Sequence, residues 1–292
     1  MTSRVCSWNI ICGIVMAENH LDRTSVFPVE TVTGYPFSTA TFAETIELLM
    51  RWASGLAERG ASRSMPRYFV CANPHSLEVA RKDSEFHDAI LAADLVTPDG
   101  AGIVLASRIL SSGIRERVCG PDIFPALCQR LNLSHPGIRM FFLGSSEENL
   151  SELTSRFRSD YPTLEVAGTL SPPYRKEFAP EDDRGMIDAV NAAEADVLWL
   201  GLGAPKQEKW AYRNRKHLRV KLIGPIGGAF DWYTGRIRLP PLWMQRAGLQ
   251  WFHRLCQEPL RLWRRNLDSP LFLARVLQQK LAGRGQWDNA GT

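Results

Sequence analysis

The sequence predicts an α/β protein, a mostly parallel sheet with helices on both faces, followed by a C-terminal helical appendage. Three observations lead there. Short apolar runs alternate with helix-length amphipathic stretches through most of the chain, the pattern of a parallel sheet covered on both sides. Pro240-Pro241 then breaks that alternation. After the break the composition turns basic and tryptophan-rich. From Arg236 to Arg284 there are nine Arg and one Lys against Glu258 and Asp268, a net +8, whereas the whole chain is +4.

The elements follow in order. Strands are expected at Arg67–Ala72, Asp94–Thr97, Ile138–Gly144, Leu164–Gly168, Asp196–Gly201 and Val220–Ile226. Helices are expected at Thr41–Arg59, Pro74–Ala92, Ala101–Leu110, Ile123–Asn132, Glu147–Tyr161, Asp182–Ala193 and Lys206–His217. Ser145 with Glu148 reads as a capping box opening the Glu147 helix. Residues 1–30 form a leader, expected to be disordered. The α/β domain spans 31–239, the basic amphipathic appendage 240–282 and a Gly-rich, disordered tail 283–292. Within the leader, Val15-Met16-Ala17 resembles a signal cleavage site, but Asn9 interrupts the apolar run and the charged start is thin.

Composition narrows the function. Hydrophobic content of 45% and charged content of 23% are those of a globular protein. No run of 18 apolar residues is present to cross a bilayer as a helix. The six cysteines show no CxxC and no metal-ligand spacing, which suits reduced thiols in the cytoplasm. There is no GxGxxG, P-loop, HExxH or GxSxG, so a nicotinamide-dependent oxidoreductase is disfavoured. There is no DxD pair to hold a metal on a nucleotide diphosphate, and no cofactor is expected.

In open parallel sheets ligands bind at the carboxyl ends of the strands, which directs attention to ANPH, TPDGAG, FLGSSEEN, GLGAPKQE and GPIGGAFD. Asp99 lies between a strand end and two glycines and reads either as a helix N-cap or as a general base. Lys206, Gln207 and Glu208 open a helix, where backbone donors suit a phosphate or sugar hydroxyls, or where Glu208 merely complements the macrodipole. Arg117 can make a bidentate phosphate contact or stand solvated. Asn73 and Asp231 carry the same ambiguity. In the appendage Trp243, Leu249, Phe252, Leu255, Leu262, Trp263 and Leu267 follow helical spacing, with Arg246, Arg254, Arg261, Arg264 and Arg265 around them. That composition suits a membrane interface, or a helix pair with a solvated basic face. A basic binding module for membrane or nucleic acid, without catalysis, is the alternative to an enzyme.

The blocks GYPFSTATFAETIELL, ANPH, TPDGAGIVLASR, RVCGPD, FFLGSS, GLGAPKQEKW, GPIGGAFDWYTG and RLPPLWMQRAGLQWFHRLCQEPLRLWRR occur in that order. Together they resemble the WecB/TagA/CpsF family, glycosyltransferase family 26, over Val32 to Leu267. The resemblance implies a Rossmann-like domain with a C-terminal appendage. It implies an inverting, metal-independent transfer of a hexose (N-acetylmannosamine, its uronic acid, glucose or glucuronic acid) from a UDP-sugar to a polyprenyl-diphosphate-linked saccharide. The polymer would be an exopolysaccharide, capsule or cell-wall polymer. The implied location is cytoplasmic, peripheral on the inner face of the plasma membrane, with no nucleic-acid partner and with homo-oligomerisation left open. Asp99 matches the family's proposed base, and Gln207 a residue near the reacting sugar. Asn73 and Arg117 match positions near the donor or diphosphate, and Asp231 one near the nucleoside. Arg254, Arg261 and Arg264 match arginines that close over the site and stabilise departing UDP. Cys71 departs from the pattern, since family members often carry Thr there.

Overall fold

The computed structural model describes residues 27–56, 65–238, 240–241, 243–244, 250–257 and 268–288, without the side chains of 250, 251, 254 and 283–288. Six parallel strands form the central sheet: β3 (Arg67–Ala72), β4 (Leu95–Pro98), β5 (Arg139–Gly144), β6 (Glu165–Leu170), β7 (Val197–Gly201) and β8 (Leu222–Pro225), in the order β4-β3-β8-β7-β5-β6. Each overlaps an expected strand. The apolar runs are legible because both faces are buried. Tyr68, Val70, Leu198, Leu200 and Ile223 enter one core, while Phe69, Val197, Trp199 and Leu222 enter the other.

Two helical layers cover these faces. On the first face lie α2 (Pro74–Ala80), α3 (Ser84–Leu91), α4 (Ala101–Leu110), α7 (Pro180–Ala192) and α8 (Lys206–Asn214). On the second lie α1 (Phe42–Ser54), α5 (Gly120–Ser134), α6 (Glu147–Asp160) and α9 (Ala229–Thr234), around an aromatic cluster centred on Phe124. The architecture is the Rossmann-like α/β fold expected from the sequence.

Several boundaries differ for local reasons. The single helix expected at Pro74–Ala92 is two, because Asp83 caps α3 by accepting from Phe86 N and pairs with Lys209 at 3.0 Å. α5 begins earlier than expected, at Gly120, with Pro121 in its first turn, where a missing N–H costs no bond. The N-cap of α6 is Ser146, whose hydroxyl accepts from Asn149 N, so the Ser145–Glu148 capping box does not form. Ser145 instead takes a left-handed conformation (φ 67). A hairpin unforeseen in the sequence, β1 (Val29–Val32) and β2 (Tyr35–Ser38), turns through Thr33-Gly34 with φ of 50 and 91. It begins inside the stretch assigned to the leader; residues 1–26 lie outside the described part.

The C-terminal helical part is present in the Gln250–Gln257 and Asp268–Asp288 helices. The second docks on α2 and α4. Phe272 and Val276 are fully buried in the first core, and Arg275 Nε lies 3.0 Å from Glu78 Oε1. Gln279 accepts from Thr33 N at 2.7 Å and donates to the Thr31 carbonyl at 2.9 Å, and His75 Nδ1 lies 2.6 Å from Asp268. The helix runs on to Asp288, so the segment expected as a disordered tail starts as helix.

Candidate active site

At the centre of the sheet β3 and β8 are neighbours whose chains leave to opposite faces, β3 into α2 on the first layer and β8 into α9 on the second. Such a divergence opens a crevice at the carboxyl ends of the strands. Asn73 stands where β3 becomes α2. As the N-cap it accepts from Ser76 N at 3.0 Å through Oδ1. Its Nδ2 then donates to Asp99 Oδ2 at 3.0 Å. Parallel pairing of Ala72 with Pro98 places the two side by side, and Asp99 N donates to the Ala72 carbonyl at 2.9 Å.

The N-cap of α4 is Gly100 (φ 92), with no side-chain cap bond. Asp99 therefore does not cap the helix, and its carboxylate is held by Asn73 instead. Close packing of the two helix starts sustains this pair. A Cβ on Gly102 would stand 2.5 Å from Pro74 Cγ, so α4 can lie against α2 only with glycine there. Gly102→Ala is expected to cost about 1–3 kcal/mol through overpacking. It should also push Asp99 away from Asn73, and a lowered urea midpoint reads out the overpacking.

Arg117 reaches the same corner. Val118 N donates to the Pro98 carbonyl at 2.8 Å, pinning the loop to the end of β4. The guanidinium pairs with Asp122 at 3.2 Å and donates to Cys119 Sγ at 3.4 Å. Desolvation first, then the charges of Asp122 and Asp99, hold the Cys119 thiol well above its ordinary range. Desolvation and then Asp99 likewise raise Cys71, with Glu208 adding to the shift. Both thiols thus stay protonated beside Asp99, and Cys71 lies within electrostatic reach of both carboxylates.

Gln207 and Glu208 come from the first turn of α8, after the cis Ala204–Pro205 bond. Gln207 is buried. It accepts from Gly203 N at 3.2 Å and donates to Glu208 Oε1 at 2.8 Å, and its amide faces Gly227 at the exit of β8. Glu208, expected only to complement the helix dipole, is 2% exposed. Lys206 turns aside, donating to the Arg175 carbonyl at 2.9 Å and lying 4.2 Å over the Phe178 ring. Desolvation lowers its pKa.

Asp231, in the first turn of α9, accepts from Asn149 Nδ2 at 2.9 Å. Asn149, which the sequence did not single out, links α6, α9 and the end of β5. The crevice thus gathers Asn73, Asp99 and Arg117 at one end and Gln207 with Glu208 beside β8. Asp231 stands where α9 meets α6. Arg261 and Arg264 lie outside the described residues, as does the Arg254 side chain. Trp243 and Phe252 of the basic segment are exposed. Among the described residues no helix is long and apolar enough to cross a membrane.

The glycosyl transferase WecG/TagA/CpsF family model matches residues 30–286. The N-acetylglucosaminyldiphosphoundecaprenol N-acetyl-beta-D-mannosaminyltransferase of Bacillus subtilis (strain 168) is 31% identical over 253 residues, covering 86% of this chain and 92% of its own. The protein of the same name from Bacillus spizizenii is 30% identical over 215 residues, 74% of this chain and 80% of its own. That from Staphylococcus aureus (strain MW2) is 19% identical over 259 residues, 89% and 96% of the two chains. A match of this extent takes in every strand of the sheet and the crevice at its carboxyl end, and the protein is an enzyme that belongs to the WecG/TagA/CpsF family of glycosyl transferases.

Proposed function

We propose that the protein transfers a hexosyl group, with inversion at the anomeric carbon, from a UDP-sugar to a saccharide carried on a polyprenyl diphosphate during synthesis of a cell-wall or extracellular polymer. The observation that carries this reading is the Asp99 carboxylate held by Asn73 at the point where β3 and β8 diverge. The relatives' names favour N-acetylmannosamine as the sugar and N-acetylglucosaminyl-diphosphoundecaprenol as the acceptor.

In this reading Asp99 takes the proton of the acceptor hydroxyl as that oxygen forms its bond to the anomeric carbon. The bond from that carbon to the β-phosphate oxygen breaks on the opposite face, and the electron pair leaves with UDP. Gln207, its amide fixed by Gly203 and Glu208, contacts the transferred sugar. Asp231 holds the nucleoside. Arg117, with Arg254, Arg261 and Arg264 of the basic segment, offsets the negative charge that develops on the leaving diphosphate, the role a metal would otherwise have. The exposed Trp243 and Phe252 support docking of the basic segment at the inner membrane face, where the lipid-linked acceptor resides.

UDP release tests the reading, measured with UDP-N-acetylmannosamine, its uronic acid, UDP-glucose and UDP-glucuronic acid against a short-chain N-acetylglucosaminyl-diphosphate lipid. The expected result is acceptor-dependent release, fastest with UDP-N-acetylmannosamine and unchanged by a chelator. Acceptor-dependent release from none of the four would reject it.

A further inference from the structure

We propose that Asn149 is a positioning residue for donor binding, acting through Asp231; this rests on the nucleoside role proposed for Asp231. The Asn149 residue is 1% exposed, and its carboxamide is engaged on both sides by groups from two other parts of the chain. Nδ2 donates to Asp231 Oδ1 at 2.9 Å and to Ser145 Oγ at 2.8 Å, while Oδ1 accepts from the Thr234 hydroxyl at 2.8 Å. The carboxylate decides which way the amide faces. An ionised Asp231 can only accept, so the NH2 must point to it and the carbonyl must point to Thr234.

Each anchor is itself fixed. Ser145 is held in the left-handed conformation directly after β5, and its carbonyl accepts from Ser171 Oγ at 2.7 Å. Asn149 N donates to Ser146 Oγ at the cap of α6. Thr234 closes α9 and is buried. The Asp231 carbonyl accepts from Ile237 N at 3.0 Å, which holds the backbone that carries the carboxylate. Asp231, partly exposed in the first turn of α9, is thereby oriented by a buried amide engaged at both its nitrogen and its oxygen. A contact whose only purpose were to pack α6 on α9 needs no donor aimed at a carboxylate. Leu150 and Phe157 of α6 lie in one apolar core with Phe230 and Tyr233 of α9, and the Arg156 guanidinium donates to the Tyr233 carbonyl at 2.6 Å, so that packing is already supplied.

The test is calorimetric binding of UDP to the full-length wild type and to Asn149→Ala, Asn149→Asp and Asp231→Ala, with circular dichroism melts of each. Wild type is expected to bind, and Asp231→Ala to weaken binding. Asn149→Ala should raise the UDP Kd and the donor KM by about tenfold to a hundredfold, the worth of a hydrogen bond to a charged group, with kcat nearly kept. Asn149→Asp sets one carboxylate against another, so the pair holds a shared proton more tightly. Its UDP affinity should be poor at pH 8 and recover towards pH 5, a recovery that wild type does not show. If Asp231→Ala weakens UDP binding while both Asn149 variants bind like wild type at every pH, the Asn149 proposal is overturned and the reading of Asp231 stands. A lowered melting temperature in the Asn149 variants with unchanged Kd overturns it equally, since Asn149 would then serve stability alone. Wild-type-like binding by Asp231→Ala, or no binding by wild type, overturns both.

Discussion

Replacing Asp99 with asparagine is expected to lower kcat for the proposed sugar transfer by about a hundredfold to ten-thousandfold, the range contributed by a general base, and to leave donor binding within a few-fold of wild type. The substitution is close to isosteric. Asn73 Nδ2, which donates to Asp99 Oδ2 at 3.0 Å, can donate equally to an amide oxygen at that position. The cap of α2 is untouched, because Asn73 makes it with Oδ1. α4 loses no cap either, since Gly100 occupies that place without a side-chain bond. In the proposed mechanism the substitution removes the carboxylate that takes the proton of the acceptor hydroxyl. UDP release at saturating donor and acceptor, set beside UDP affinity by calorimetry, separates the two effects. Undiminished turnover would remove Asp99 from the mechanism, and equal losses of turnover and UDP affinity would make it a binding residue.

The members of the candidate site are legible residue by residue, and the connections among them are not. Asn73, Asp99, Gln207 and Asp231 stand out because strand exits in an α/β sheet are where ligands bind, and the strands announce themselves as apolar runs. The Asn73–Asp99 hydrogen bond, however, depends on parallel pairing of β3 with β4 in one particular register. Nothing within ANPH or TPDG specifies that register. Glu208 and Asn149 give little signal for a related reason: a Glu or an Asn in the first turn of a helix is ordinarily exposed polar surface. Both are buried, Glu208 accepting from its neighbour Gln207 and Asn149 bonded to Asp231 and Thr234 of another element, an environment that exists only once the fold has formed. The break between α2 and α3 has the same origin, since the Lys209 that holds the capping Asp83 is far along the chain. The β1–β2 hairpin is hard to see because its first strand, Val-Glu-Thr-Val, does not alternate, Glu30 sharing a face with the buried Val32 and Val29 with the exposed Thr31, and because its turn uses Thr-Gly rather than a stronger turn pair. Arg254, Arg261 and Arg264 rest on the family resemblance.

Phe272→Ala is expected to cost about 3–5 kcal/mol, a large part of the roughly 5–15 kcal/mol that holds a domain folded. The reason lies in where the last helix sits. Phe272 and Val276 are fully buried in the same core as Leu77, Ile103 and Ala106, so truncating the ring leaves a cavity between the Asp268–Asp288 helix, α2 and α4. The polar contacts around it cannot close that gap. Arg275 is committed to the buried Glu78 and Gln279 to the hairpin backbone, and both fix the helix in place rather than letting it settle inward. Leu281, on the same helix but 68% exposed, is the control, and its alanine variant should change stability by no more than about 0.5 kcal/mol. Urea unfolding of the two variants and wild type reads this directly; similar midpoints for all three would mean that the helix does not stay docked in solution. The consequence reaches the candidate site, because α2 and α4 carry Asn73 and Asp99 at their starts. A chain cut after Leu239 loses the basic segment and this buried helix together, so its inactivity would not separate charge from folding. Substituting Arg254, Arg261 and Arg264 in the intact chain does separate them, since the helix that closes the core is then retained.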